Sequence, residues 1–199
     1  MDTTFSLNNI DLIKLVFSTG IITTILNQGI SSFREARKEK AGNENSRQYS
    51  SIRISVALEK YAIKCFDNIT KTNLCYVTNG ELGETFSEIP NFEKFSDDIS
   101  WRLIDLNLCT LILTLENEIK ISNSKCNGDL VKYECGCDDY MSEMIDLYSK
   151  EVGKCGYMAL SYAIQLRKHY KLPTLESSEV YMKTLKKYYD LCTKDKIGK

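Results

Sequence analysis

Only two prolines, Pro90 and Pro173, interrupt a chain of 199 residues. Proline removes a backbone donor and clashes with the preceding helical turn, so its scarcity leaves room for long helices almost everywhere. The apolar residues use that room. Leu58, Tyr61, Ala62, Cys65, Phe66 and Ile69 recur at spacings of three and four, which predicts a helix over residues 49–71. Arg53, Lys60, Lys64 and Asp67 would face away from its buried side. The same spacing at Leu108, Leu111, Ile112, Leu115 and Ile119 predicts a helix over residues 101–133.

Beyond a turn at "ECGCDDYM" (Glu134 to Met141), a helix capped by Asp138 or Asp139 is expected to run to Tyr170. Its apolar positions are Met141, Met144, Ile145 and Tyr148, then Tyr157, Leu160, Ile164 and Tyr170. Gly153 and Gly156 weaken its middle, and "KLP" ends it. A last helix over residues 177–193 carries Val180, Leu185, Tyr188 and Leu191. No segment alternates as a strand would. The expectation is an all-α protein, an N-terminal membrane or extended helix followed by a bundle of about four helices.

Two stretches break the pattern. "AGNENSRQ" (Ala41 to Gln48) is polar and reads as an interruption between helices. Residues 72–100 lose helical periodicity and carry an Asn-Gly pair, acidic residues and Pro90. Long connections inside small domains are often functional, and Leu82, Phe86, Ile89, Phe92 and Phe95 suggest that this one packs across the bundle.

The run from Ile10 to Phe33 is apolar enough to span a bilayer only narrowly, with Ser18, Thr19, Thr23, Thr24, Asn27 and Gln28 in its middle. Arg34, Arg37, Lys38 and Lys40 come directly after it, whereas the preceding side has almost no basic residues. The positive-inside rule then orients the C-terminal domain toward the cytoplasm. The rival is an amphipathic core helix with Leu12, Val16, Ile22, Leu26, Ile30 and Phe33 on one stripe. "MDTTFSLNNID" lacks the basic start of a secretory signal. The expected organisation is residues 1–41 as tail, transmembrane helix and basic flank, and residues 42–199 as a cytoplasmic helical domain. That places the protein in the inner (cytoplasmic) membrane as a single-pass protein, with a purely cytoplasmic location as the alternative.

A formal net charge of -1 argues against general nucleic-acid binding, which needs a strong positive field. The partners left are the lipid bilayer and a protein partner or second copy of the chain. Of eight cysteines, Cys126, Cys135, Cys137 and Cys155 form the one cluster with a metal-like look. Their C-x-C core is not the usual zinc-knuckle spacing, so a metal or redox site there is the lesser reading. The single histidine, His169, fits a helix C-terminus better than catalysis. Glu116/Glu118 and Asp138/Asp139 read as surface carboxylates, with Arg102 or Lys120 as a partner for Glu116. Tyr157, Tyr162, Tyr170, Tyr181, Tyr188 and Tyr189 read as the edge of a core, or else as a groove. "GELGE" and "GKCGY" lack the lysine and hydroxyl residue of a phosphate loop, so no cofactor is implied.

"ALEKYAIKCFDNI" (Ala57 to Ile69) and "GKCGYMALSYAIQLRKHYKLP" (Gly153 to Pro173) resemble segments of a family of uncharacterised bacterial proteins. The resemblance implies a membrane-spanning N-terminal segment before a cytoplasmic helical domain, and it implies no activity or functional residue. The expected function is therefore a membrane-tethered helical interaction or sensor module, without evident catalysis. The alternative is a soluble helical protein with a cysteine-based metal or redox site.

Overall fold

The computed structural model describes the backbone at residues 6–84, 88–132, 138–176 and 178–197. Side chains are described within those stretches except at 6–36, 128–132, 138–141 and 195–197. Four α-helices and one 3-10 turn make up the regular structure there, and no strand occurs among the described residues. The helices are α1 (Ser6–Val77), α2 (Leu106–Lys132), α3 (Asp138–His169) and α4 (Ser178–Ile197), with the 3-10 turn at Trp101–Leu103. The chain divides into two units, Met1–Asn45 and Ser46–Lys199, and the hydrophobic core belongs to the second.

The expected interruption at residues 41–48 is helical instead, so two anticipated helices are one and the total falls to four. Its residues are polar, but most of them tolerate helical geometry. A single glycine costs a helix about 1 kcal/mol, and Gly42 sits in open space. Polarity there marks solvation rather than a break. The apolar run 10–33 and the flank residue Arg34 lie outside the residues whose side chains are described. Arg37, Lys38 and Lys40 are exposed helical residues. Among the described residues no helix is long and apolar enough to cross a membrane.

α1 ends where Asn79 (φ 52°) and Gly80 (φ 89°) turn left-handed and Gly80 donates its N–H to the Cys75 carbonyl. Glycine takes that conformation without penalty, which is why helices often stop on it. The connector 78–105 then runs back along α1. Phe92 meets Tyr61 edge-on with centroids 5.2 Å apart, Asp98 reaches Tyr49 and Arg53, and the Ser100 N–H donates to Ser50 Oγ at 3.0 Å. The expected packing of this segment holds at Ile89, which is buried, and at Phe92 and Phe95, which pack against the core. Leu82 does not share it, being 58% exposed, and Phe86 lies outside the described residues.

Because the connector returns to Ser50, α2 runs parallel to residues 50–77 of α1. Asp105 starts it, its carboxylate accepting the N–H groups of Asn107 and Leu108. α3 then runs against both, and α4 against α3. α3 is the central element. Tyr148, Val152, Cys155, Ala159, Ala163 and Leu166 are among its buried positions, several of them small.

Gly153 and Gly156 belong to that set and are not weak points. A Cβ on Gly153 would collide with Tyr188 Cβ of α4. One on Gly156 would lie 2.8 Å from Cys65 Cβ of α1 and 3.0 Å from Leu185 Cδ2 of α4. The missing side chains let three helices approach at one level, and that close packing outweighs the helix propensity lost. Val180, expected in the core, is 65% exposed, and α4 packs instead through Tyr181, Met182, Leu185, Tyr188 and Cys192.

Candidate functional site

The cysteine cluster is only partly described. Cys126 of α2 and Cys155 of α3 are buried, while Cys135 and Cys137 lie outside the described residues. Burial pushes the Cys155 thiol up to about 11, and it pushes the Cys65 thiol up as well. A thiol so displaced stays protonated at neutral pH and behaves as a small apolar group, not a nucleophile. Among the described residues no group of three or more His, Cys, Asp or Glu side chains is placed to hold a metal ion. His169 is the exposed last residue of α3, following Arg167 and Lys168 in a basic final turn that suits the helix dipole. Glu116 pairs with Lys120 at 3.0 Å on the surface of α2. Tyr157, Tyr162, Tyr181, Tyr188 and Tyr189 are half-buried and Tyr170 is buried; all but Tyr189 belong to the core or pack against it.

A buried polar network lies between α2 and α3. Glu151 Oε2 accepts from Ser122 Oγ at 2.6 Å, and its Oε1 accepts from Lys125 Nζ at 2.7 Å. Lys154 Nζ donates to Glu118 Oε2 at 2.7 Å and lies 3.5 Å from Ser122 Oγ. The Cys192 thiol of α4 completes it, 3.6 Å from Glu151. The Glu151 side chain is 4% exposed and that of Lys154 7%. Burial raises the Glu151 carboxyl, but the hydrogen bonds from Lys125 and Ser122 and the two nearby ammonium groups outweigh it and hold the group below its ordinary value. Lys154 is the mirror case, lowered by burial and raised further by Glu118. Every charge here has its partner, which is how interior charges are tolerated. A second such pair, Glu59 with Arg167, joins α1 to α3, and Arg167 also donates to the Pro173 carbonyl.

The other charged region is open. The connector and α1 enclose a groove of about 420 Å³. Ile52, Arg53, Val56, Ala57, Lys60, Tyr61 and Lys64 line its α1 wall; Asn91, Glu93, Lys94, Phe95, Ser96 and Ile99 line the other. Four cations thus face one carboxylate across a largely apolar floor. Arg53 is occupied, donating to the Tyr49 hydroxyl at 3.1 Å and lying 3.6 Å from Asp98. Hydrogen bonds from Ser96 and Tyr49, with the Arg53 charge, hold the Asp98 carboxyl below its usual range. Lys60, Lys64 and Lys94 are exposed and make no hydrogen bond or ion pair among the described residues.

The sequence signal for this groove is half present. The spacing of Arg53, Lys60 and Lys64 puts them on one outer stripe of α1. Nothing local says that Ser100, 50 residues further along the chain, returns to Ser50 and brings the connector over that stripe. No protein-family model, curated protein or solved structure matches this chain.

Proposed function

We propose that this chain is a membrane-tethered helical module of interaction or sensor type, and that it recognises its target through the groove between α1 and the connector. One observation carries the reading. Lys60, Lys64 and Lys94 stand around an apolar floor with no partner among the described residues, whereas the charges between α2 and α3 are all matched. Like charges lining a concave site give it a positive potential, which draws a ligand of opposite sign. A pocket of this size with a few convergent polar groups is the usual form of a small-ligand site. Of the described thiols, Cys65 and Cys155 are buried and held protonated, which weighs against them as a rival site.

The tether rests on the sequence alone, on the apolar run 10–33 and the basic flank Arg34, Arg37, Lys38 and Lys40. Membrane fractionation tests it. The full-length chain should sediment with membranes and a chain starting at Arg47 should not; equal solubility of the two would remove the tether. Lysine-reactivity footprinting tests the groove. Lys60, Lys64 and Lys94 should be less reactive in a native membrane extract than in the purified protein, with exposed Lys168 and Lys186 unchanged. Uniform reactivity in both settings would leave the groove without an occupant.

A further inference from the structure

We infer that the groove takes a small phosphate monoester carried on an apolar body, with the phosphate held by Lys60, Lys64 and Lys94. The inference rests on the groove being a binding site and adds the class of its ligand. Charge sets the head group. Among the lining cations, Arg53 is already met by Asp98. Of the other lining residues, Lys60 and Lys64 on α1 and Lys94 on the connector are cations, and Glu93 is the one carboxylate. That surplus suits a group of about two negative charges better than a single carboxylate, and a phosphate monoester carries roughly -1.5 to -2 at neutral pH.

The lining sets the rest of the ligand. Val56, Tyr61 and Phe95 supply apolar surface beside the cations, so a bare inorganic anion would leave most of the groove unfilled. Lys60 and Lys64 stand one helical turn apart on α1, a spacing that brings two ammonium groups to the same side. Lys94 comes from the connector, so one phosphate would bridge both walls. A duplex or single-stranded nucleic acid is a poorer match, because the chain as a whole carries a formal charge of -1.

The protein contains its own reporter. Trp101 is the only tryptophan, and its ring meets Phe95 edge-on with centroids 5.0 Å apart. Filling the groove against Phe95 should therefore change Trp101 emission. The experiment titrates the full-length chain with octyl phosphate below its micelle concentration, with octyl glucoside and inorganic phosphate as comparisons. The expected result is a saturable change with octyl phosphate, weakened about tenfold or more in the Lys60→Glu/Lys64→Glu variant and by added salt. Octyl glucoside and inorganic phosphate should each bind at least about tenfold more weakly.

Equal binding of octyl phosphate and octyl glucoside, indifferent to the lysine variant, overturns the phosphate assignment while leaving the groove as a binding site. Saturation by neither overturns both. Far-ultraviolet circular dichroism of the variant guards against a trivial loss of fold. The substituted lysines are exposed and have no partner among the described residues, so its spectrum and thermal midpoint should match the parent's.

Discussion

The α2–α3 interface and the α1–connector groove are both rich in charge, and they handle it in opposite ways. In the interface Lys125 and Lys154 are matched against Glu151 and Glu118 at 2.7 Å, and the Ser122 hydroxyl donates a hydrogen bond to Glu151. In the groove the ammonium groups of Lys60, Lys64 and Lys94 stay at the surface and meet no partner among the described residues. Desolvation makes the difference. A buried charge without a partner is costly enough to unfold a small domain, whereas a solvated one costs almost nothing. Matched charge in this molecule belongs to its structure, and the unmatched charge of the groove is what the proposed site rests on.

Substitutions sharpen that contrast, beginning with the largest effect. Arg167→Ala should destabilise the protein by about 3 kcal/mol, because Glu59 is left buried without its partner. Urea denaturation measures it. A paired Glu59→Leu/Arg167→Met replacement should recover much of the loss, and a double variant no better than the single one would break the argument from desolvation.

Glu151→Gln should cost roughly 1–2 kcal/mol at pH 7, since the charge-assisted bonds to Lys125 and Ser122 weaken. The pH dependence has a definite sign. Glu151 is held below its ordinary value when folded, so its stabilisation is complete above the unfolded value of about 4.3. It is lost as the pH falls through the lower folded value. The stability gap between parent and variant should accordingly narrow in acid, as denaturant midpoints at pH 7 and below about pH 4.3 would show. A gap that widened in acid would contradict the pairing.

The remaining effects are smaller. The Thr72 hydroxyl is buried and has no hydrogen-bond partner among the described residues. Thr72→Val removes that unmet group at nearly constant volume and should raise stability by up to about 1 kcal/mol, read from the thermal midpoint. Smallest of all is the Lys60→Glu/Lys64→Glu change in the groove. Urea denaturation should show a change of no more than about 0.5 kcal/mol in either direction. A large loss there would show that the groove's charge is structural after all.

How much of the fold is legible in the sequence depends on whether the determinant is local. The buried faces of α1 and α2 are, because Leu58, Cys65 and Ile69, like Leu108, Ile112 and Leu115, repeat at the helical period and are buried. Asp105 as the start of α2 escapes a reading that follows the apolar stripe, since a short polar side chain leaves no mark on that period. Gly153 and Gly156 look like defects until their neighbours from α1 and α4 are known. Leu111 and Val180 fall on the predicted stripes and yet are exposed, because a stripe says which side is apolar and not how far a neighbour covers it. The charges that pair between α2 and α3 are the least legible. Glu118 and Lys154 look like solvated residues in sequence, and they meet only because α2 and α3 pack at that register.

The connector's return path has a consequence for the order in which the bundle forms. α2, α3 and α4 succeed one another closely in the chain, so their contacts close small loops. α1 meets α3 and α4 only across wide separations, 80 residues at Asn68–Tyr148, 108 at Glu59–Arg167 and 115 at Asn73–Tyr188. Loop-closure entropy should therefore delay the docking of α1 on α3 and α4 until the C-terminal helices have formed a surface for it. Pulsed hydrogen exchange during refolding should protect α2–α3–α4 amides before the central α1–α3 layer matures. In that order the helix that carries Lys60 and Lys64 would dock on α3 late.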